Sequence, residues 1–281
     1  MDNVITICKK KINNYKYLSK IIAWESIKIQ LNKNPNLYDT YRTNSPLNII
    51  KAILRHDIPL NGFFSYKTNL RALDLALGSL WKNLGSKEIK NISNKISNLS
   101  NTGFWDTTIE LWLAKDLIQS KQKFSLDYPL TKAHKGYTPT NADLAILNLE
   151  NKPEWLIDCL CPTLVNKNCE KLLLDDSDSF IPEPNEAIRC IVNIIQKKFN
   201  LKFSKYVDLF PNTKFAIVIS LIKSDDVSAH LSDWILTRKH PIIIDSEEHI
   251  FHPKLSFAIA GRFEEIKDEI YFNPIIQYKS I

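Results

Sequence analysis

Glycine is scarce in this chain of 281 residues, with six in all. Neither GxGxxG nor GxxxxGK[ST] occurs, which removes the backbone-cradled phosphate loops of dinucleotide- and NTP-binding proteins. Long apolar runs are missing too. The longest, such as 215–222, fall far short of the roughly 20 residues that a membrane-spanning helix needs. The opening MDNVITICKKK sets its lysines after the apolar residues, the reverse of a secretory leader. A cytoplasmic protein with no membrane partner is therefore expected. No GxSxG elbow presents a serine nucleophile, and no repeat or low-complexity tract interrupts the chain. Five cysteines (Cys8, Cys159, Cys161, Cys169 and Cys190) make an odd number without the spacing of a disulfide framework, so reduced thiols are expected. Cys159 and Cys161 read as buried thiols on a core strand rather than as zinc ligands. His249 and His252 lack the i, i+4 helical spacing of HExxH zinc enzymes and precede Pro253, so they read as scattered surface histidines.

What is present begins with charge. Residues 1–100 carry 16 Lys+Arg against 6 Asp+Glu, a net of +10, whereas the remaining 181 residues net −4. A basic half of this kind suits an acidic partner, nucleic acid first. It equally suits surface helices whose lysines are simply solvated. The hydrophobic share of 44% with 24% charged residues is that of an ordinary globular protein with ample core.

Apolar spacing predicts helices over 15–30, 69–84 and 86–99, and a short one opened by Ser45-Pro46 with Ser45 as its cap. The region 1–100 is thus expected to be basic and all-helical, followed by an α/β domain over 101–281. That domain is expected to contain a helix over 103–120, a strand over 124–129, a helix over 186–200 and a buried strand over 214–222. A helix over 227–236 and strands over 241–245, 255–260 and 269–272 complete the expectation. A hairpin followed by strand, helix and strand indicates a mixed sheet flanked by helices.

The chemistry gathers in the stretch TPTNADLAILNLENKPEWLIDCLC, residues 138–161. Two apolar runs, each carrying one aspartate, flank a polar turn-like segment, which reads as a β-hairpin with Asp143 and Asp158 on adjacent strands. Alternation places Leu156, Asp158 and Leu160 on one face and Trp155, Ile157, Cys159 and Cys161 on the other. An ionised carboxylate in such a setting is costly unless it is paired or holds a metal. Glu110, at the edge of an apolar stripe on the preceding helix, is a candidate third acid. Upstream, the loop 131–139 carries Lys132, His134, Lys135 and Tyr137, side chains suited to phosphate or base contacts, with plain solvation of the loop the more ordinary reading.

The order helix-Glu, strand, Asp at the head of a strand, hairpin, then acid-x-Lys resembles the PD-(D/E)XK phosphodiesterase superfamily. Glu110 in TTIELWLA resembles the helix glutamate. Asp143 in NADLAI resembles the aspartate that follows proline, with Ala142 in the proline's place, and Asp158 in LIDCL resembles the second acid. Leu160 departs from the pattern, standing where the family has its catalytic lysine. The resemblance implies a restriction-endonuclease-like α/β fold. It also implies Glu110, Asp143 and Asp158 as catalytic residues and ligands of Mg²⁺ or Mn²⁺, with DNA or RNA as substrate. With leucine at position 160, the lysine's role either falls to another residue, is dispensed with beside the metal, or is lost. The last case gives the alternative expectation, a nuclease-fold module that binds nucleic acid or protein without cleaving.

Overall fold

Helices account for the early part of the chain in the computed structural model, which describes residues 2–38, 48–55, 66–100, 103–131, 140–161, 184–221, 234–237, 242–244 and 246–280. The chain divides into two compact units. One comprises Met1–Asp116 with Phe263–Tyr271, the other Leu117–Arg262 with Phe272–Ile281.

The first unit is built from α1 (Asp2–Ile12), α2 (Leu18–Ile21), α3 (Trp24–Lys33), α4 (Ile49–Leu54), α5 (Tyr66–Leu80), α6 (Ser86–Ser97) and most of α7 (Gly103–Gln119). The helix expected over 15–30 is two helices, interrupted at Ile22, whose backbone is extended (φ −68°, ψ 121°). Asp74 accepts from the backbone N–H of Tyr17 (2.7 Å) and Leu18 (2.8 Å) at the start of α2, and at the break Ser97 Oγ accepts from the N–H of Ala23 (2.9 Å). A break whose orphan donors are satisfied costs little. Ser45 lies outside the described residues, and the helix there starts instead at Ile49 with Asn48 as its cap, accepting from Lys51 N–H. Asn48 is fully buried and donates to the carbonyls of Leu37 (3.0 Å) and Leu99 (3.1 Å), tying three segments to one side chain.

The second unit is organised on a seven-stranded mixed sheet flanked by helices, an α/β architecture. Its strands are β1 (Phe124–Pro129), β2 (Asn141–Leu147), β3 (Pro153–Leu160), β4 (Lys214–Ser220), β5 (Trp234–Thr237), β8 (Leu255–Ile266) and β9 (Glu269–Lys279), in the order β1-β2-β3-β4-β8-β9-β5. β6 (Ile242–Ile244) and β7 (Glu247–His249) form a separate antiparallel pair. β1, β2 and β3 run as an antiparallel meander, and β4 joins β3 in parallel. The parallel step requires a crossover, and α8 (Pro184–Lys202) lies in it. Ile188, Ile191, Ile195, Phe199 and Phe203 pack with Leu156, Leu160, Phe215, Ile217 and Ala258 in one core. Phe199, Phe203 and Phe215 meet with ring centroids 5.2–6.0 Å apart, pinning the end of α8.

The C-terminal strands extend past the expected 255–260 and 269–272. A two-residue turn, Lys267-Asp268, joins β8 to β9 with φ of 50° and 67°, the doubly positive geometry whose twist suits a tight hairpin. Arg262 and Glu264, past the end of the expected strand, are buried strand positions. At Gly261 a Cβ would stand 2.4 Å from the carbonyl oxygen of Asn273, so only glycine admits this approach of β8 and β9. Trp234–Thr237, expected within a helix, is instead a strand parallel to β9. The rest of that expected helix lies outside the described residues. Cys8, Cys159 and Cys161 are buried thiols outside any disulfide, whereas Cys190 is disulfide-bonded, against the expectation of five reduced thiols.

Candidate functional site

Hairpin register brings the two aspartates together. Leu144 pairs with Ile157 across β2 and β3, and one step further along that antiparallel register sets Asp143 opposite Asp158. There the backbone ladder gives way to a side chain. Oδ2 of Asp143 accepts from the backbone N–H of Cys159 at 2.7 Å, fixing the Asp143 carboxylate at the strand edge. Asp158 shares the face of Leu156 and Leu160, both of which belong to the core beneath α8, and is completely buried. Like charges directly opposite on paired strands repel, and a buried carboxylate demands a counter-charge.

α8 supplies two. Lys198 and Lys202 stand four residues apart and so project from one side of the helix. Each immediately precedes one of the anchoring phenylalanines, Phe199 and Phe203. Lys202 Nζ donates to Oδ1 of Asp143 at 3.0 Å and to Oδ1 of Asp158, bridging the two carboxylates. Lys198 Nζ lies 2.9 Å from Oδ2 of Asp158. That contact is an ion pair without hydrogen-bond alignment, and Oδ2 of Asp158 is a buried acceptor with no hydrogen bond. The result is a cluster of two carboxylates and two ammonium groups, nearly neutral overall, its inner acid sealed and its lysines partly open to solvent. A cation at a helix C-terminus is also favoured by the helix dipole, which suits Lys202 as the last residue of α8.

No match was found in comparisons with family models, curated proteins and solved structures.

Glu110, the other acid singled out in the sequence, lies in the first unit. Its helix is buried almost without interruption from Phe104 to Leu111, and its own side chain is buried. Oε2 of Glu110 sits 2.9 Å from Nζ of Lys95 on α6. Lys132, His134, Lys135 and Tyr137 lie outside the described residues. Lys202 was not singled out in the sequence. The signal for it was available in the sequence as a lysine pair at i, i+4 flanking the aromatic stripe of the helix after the hairpin. Its partner could not be read there, because the pairing depends on how far α8 runs along β3.

The donor set suits a hard divalent cation to the extent of two carboxylates. Among the described residues no group of three or more His, Cys, Asp or Glu side chains is placed to hold a metal. Mg²⁺ is commonly held by one or two carboxylates, with water and substrate oxygens completing its shell. Asp143 and Asp158 fit that pattern, since both reach a single nitrogen and one oxygen of the buried acid is free of hydrogen bonds.

Proposed function

We propose that this protein is a metal-dependent nuclease of PD-(D/E)XK type, with a restriction-endonuclease-like core, whose catalytic lysine comes from α8 rather than from β3. The observation that carries the reading is the double contact of Lys202 with Asp143 and Asp158. It supplies a cation at the two acids, the feature that Leu160 removes from the family pattern. Element order adds support. A helix, a three-stranded meander bearing both acids, a crossover helix and a strand parallel to β3 follow one another from α7 to β4.

In this reading Asp143 and Asp158 hold Mg²⁺ or Mn²⁺. Such an ion supplies charge neutralisation at the phosphate and a more acidic bound water. Lys202 orients the attacking water and stabilises the negative charge that builds on the phosphate oxygens. Lys198, the more exposed of the two lysines, holds Asp158 ionised from the other side and gives the entering phosphate a positive contact. The substrate is DNA or RNA, drawn by the basic half of the chain.

Cleavage of single- and double-stranded DNA and RNA with Mg²⁺ or Mn²⁺ tests the reading, using wild type, Asp143→Ala/Asp158→Ala and Lys202→Met. Metal-dependent cutting that both variants lose is the expected result. Absence of cutting on all four substrates, or a double variant that cuts like wild type, would leave the cluster as a charge-balanced structural device in a non-catalytic binding module.

A further inference from the structure

The first unit carries a second feature that the carboxylate cluster does not use. Tyr17, just before α2, lays its ring against α5 at Gly78, where an added Cβ would come within 2.8 Å of it. Trp81, the residue directly after α5, meets the same ring, with centroids 5.3 Å apart and planes inclined by 50°. Both rings are half-buried. Two exposed lysines ride over them. Lys16 Nζ lies 5.3 Å from the Tyr17 centroid, and Lys20 Nζ lies 5.6 Å from Tyr17 and 5.5 Å from Trp81. Asp74, the acid beside this group, spends its carboxylate on the backbone N–H groups of Tyr17 and Leu18. The surrounding region is the one that nets +10.

The geometry points to a stacking platform for single-stranded nucleic acid formed by Tyr17 and Trp81, with Lys16 and Lys20 as its phosphate contacts. Fixed aromatic faces interleaved with lysines are the arrangement that binds unpaired bases without regard to sequence. A base stacking on either ring displaces an ammonium head, and the flexible lysine stem lets that head move to the adjoining phosphate. Duplex DNA hides its base faces in its own stack and offers the rings nothing, so the occupant is an unpaired strand. DNA and RNA share this chemistry. The platform is independent of Asp143 and Asp158, and it deepens the nuclease reading by stating which strand is gripped.

Fluorescence anisotropy with labelled 20-mers of deoxythymidine and uridine and a 20-base-pair duplex tests the platform, on the full chain in EDTA, so that cleavage plays no part. The single strands are expected to bind more tightly than the duplex. Trp81→Leu should weaken them about tenfold, while Trp81→Phe, which keeps a stacking face, retains most of the affinity. Lys16→Gln/Lys20→Gln, at two exposed positions that do not threaten folding, should lower the salt slope of log K by about 1.4 for the single strands. A preference for deoxythymidine or for uridine assigns the strand type within the proposal. Equal binding of duplex and single strands, or unchanged affinity and salt slope in the double-lysine variant, would overturn it whatever the cleavage assays give.

Discussion

Lys202 closes the last turn of α8 by reaching the carboxylate of Asp158, 44 residues earlier in the chain. The buried acid and its counter-charge come from different elements, and the phenylalanines beside the lysine hold those elements in register. Changes in the packing of α8 therefore become changes in the electrostatics of the site.

Lys202→Met leaves Asp143 and Asp158 opposed, with Lys198 the remaining paired cation among the described residues. Removing one partner from a buried charge network costs about 3–5 kcal/mol. Lys202 and Asp143 keep some solvent contact, with side chains 17% and 16% exposed, so the low end of that range is expected. Urea unfolding checks the loss. The uncompensated carboxylates also become a better cation site, so Mg²⁺ or Ca²⁺ should raise the variant's Tm more than that of wild type. An unchanged urea midpoint together with no metal response would show that Lys202 does not hold the site.

Restoring lysine at the family position should fail. Leu160 is 8% exposed and packs in the core shared with α8, so Leu160→Lys inserts a charged head where an apolar side chain fills space. A destabilisation of about 2–4 kcal/mol is expected, with no gain in cleavage. Thermal melts and cleavage rates read both effects. A variant more active than wild type and equally stable would mean that Lys202 does not take the lysine's part.

The hairpin was legible because its alternation and polar turn are local, and the opposition of Asp143 and Asp158 follows from that register. The helix bearing Lys198 was legible for the same reason, from its 3.6-residue apolar spacing, although it was expected to end at 200, two residues before Lys202. The pairing of its lysines with the aspartates was not, since it arises from a crossover whose length and packing are non-local. The strand expected over 255–260 stopped short of Arg262 and Glu264, because burial of those side chains depends on partners distant in sequence. The break before Trp24 was hidden because Ser97, far along the chain, takes up the N–H group of Ala23.

Cys8 should be inert in the folded protein. Its thiol is fully buried on α1, and burial pushes its pKa from the ordinary 9.0 up to about 12, with Lys11 opposing weakly. The thiolate is the reactive form, so iodoacetamide at pH 8 should label Cys8 only after unfolding in urea. The same shift sets a pH dependence. The unfolded chain releases this proton from about pH 9 and the native protein only near 12, so the contribution is complete below pH 9. It falls by about 1.4 kcal/mol per unit across the interval. Cys8→Ala should lack that slope when urea midpoints at pH 8 and 10.5 are compared. Rapid native labelling, or identical slopes in the two proteins, would contradict the burial of this group.

Glu110 is the residue for which the resemblance and the local packing make different demands. As a ligand it would contribute only when metal is bound. As the partner of Lys95 it contributes to the fold at all times, and an ionised carboxylate within an almost wholly buried helix needs that partner. Glu110→Gln keeps the shape and removes the charge, and Lys95, one-third exposed, can turn towards water. A loss of about 1–2 kcal/mol in EDTA is therefore expected, and Glu110→Ala should lose more because it also leaves a void at a buried helix position. Unfolding of both variants with and without Mg²⁺ separates the roles. A loss of stability that is the same in EDTA and in Mg²⁺ assigns Glu110 to the fold. Melting unchanged in EDTA, with a lost response to Mg²⁺, would instead make it a ligand.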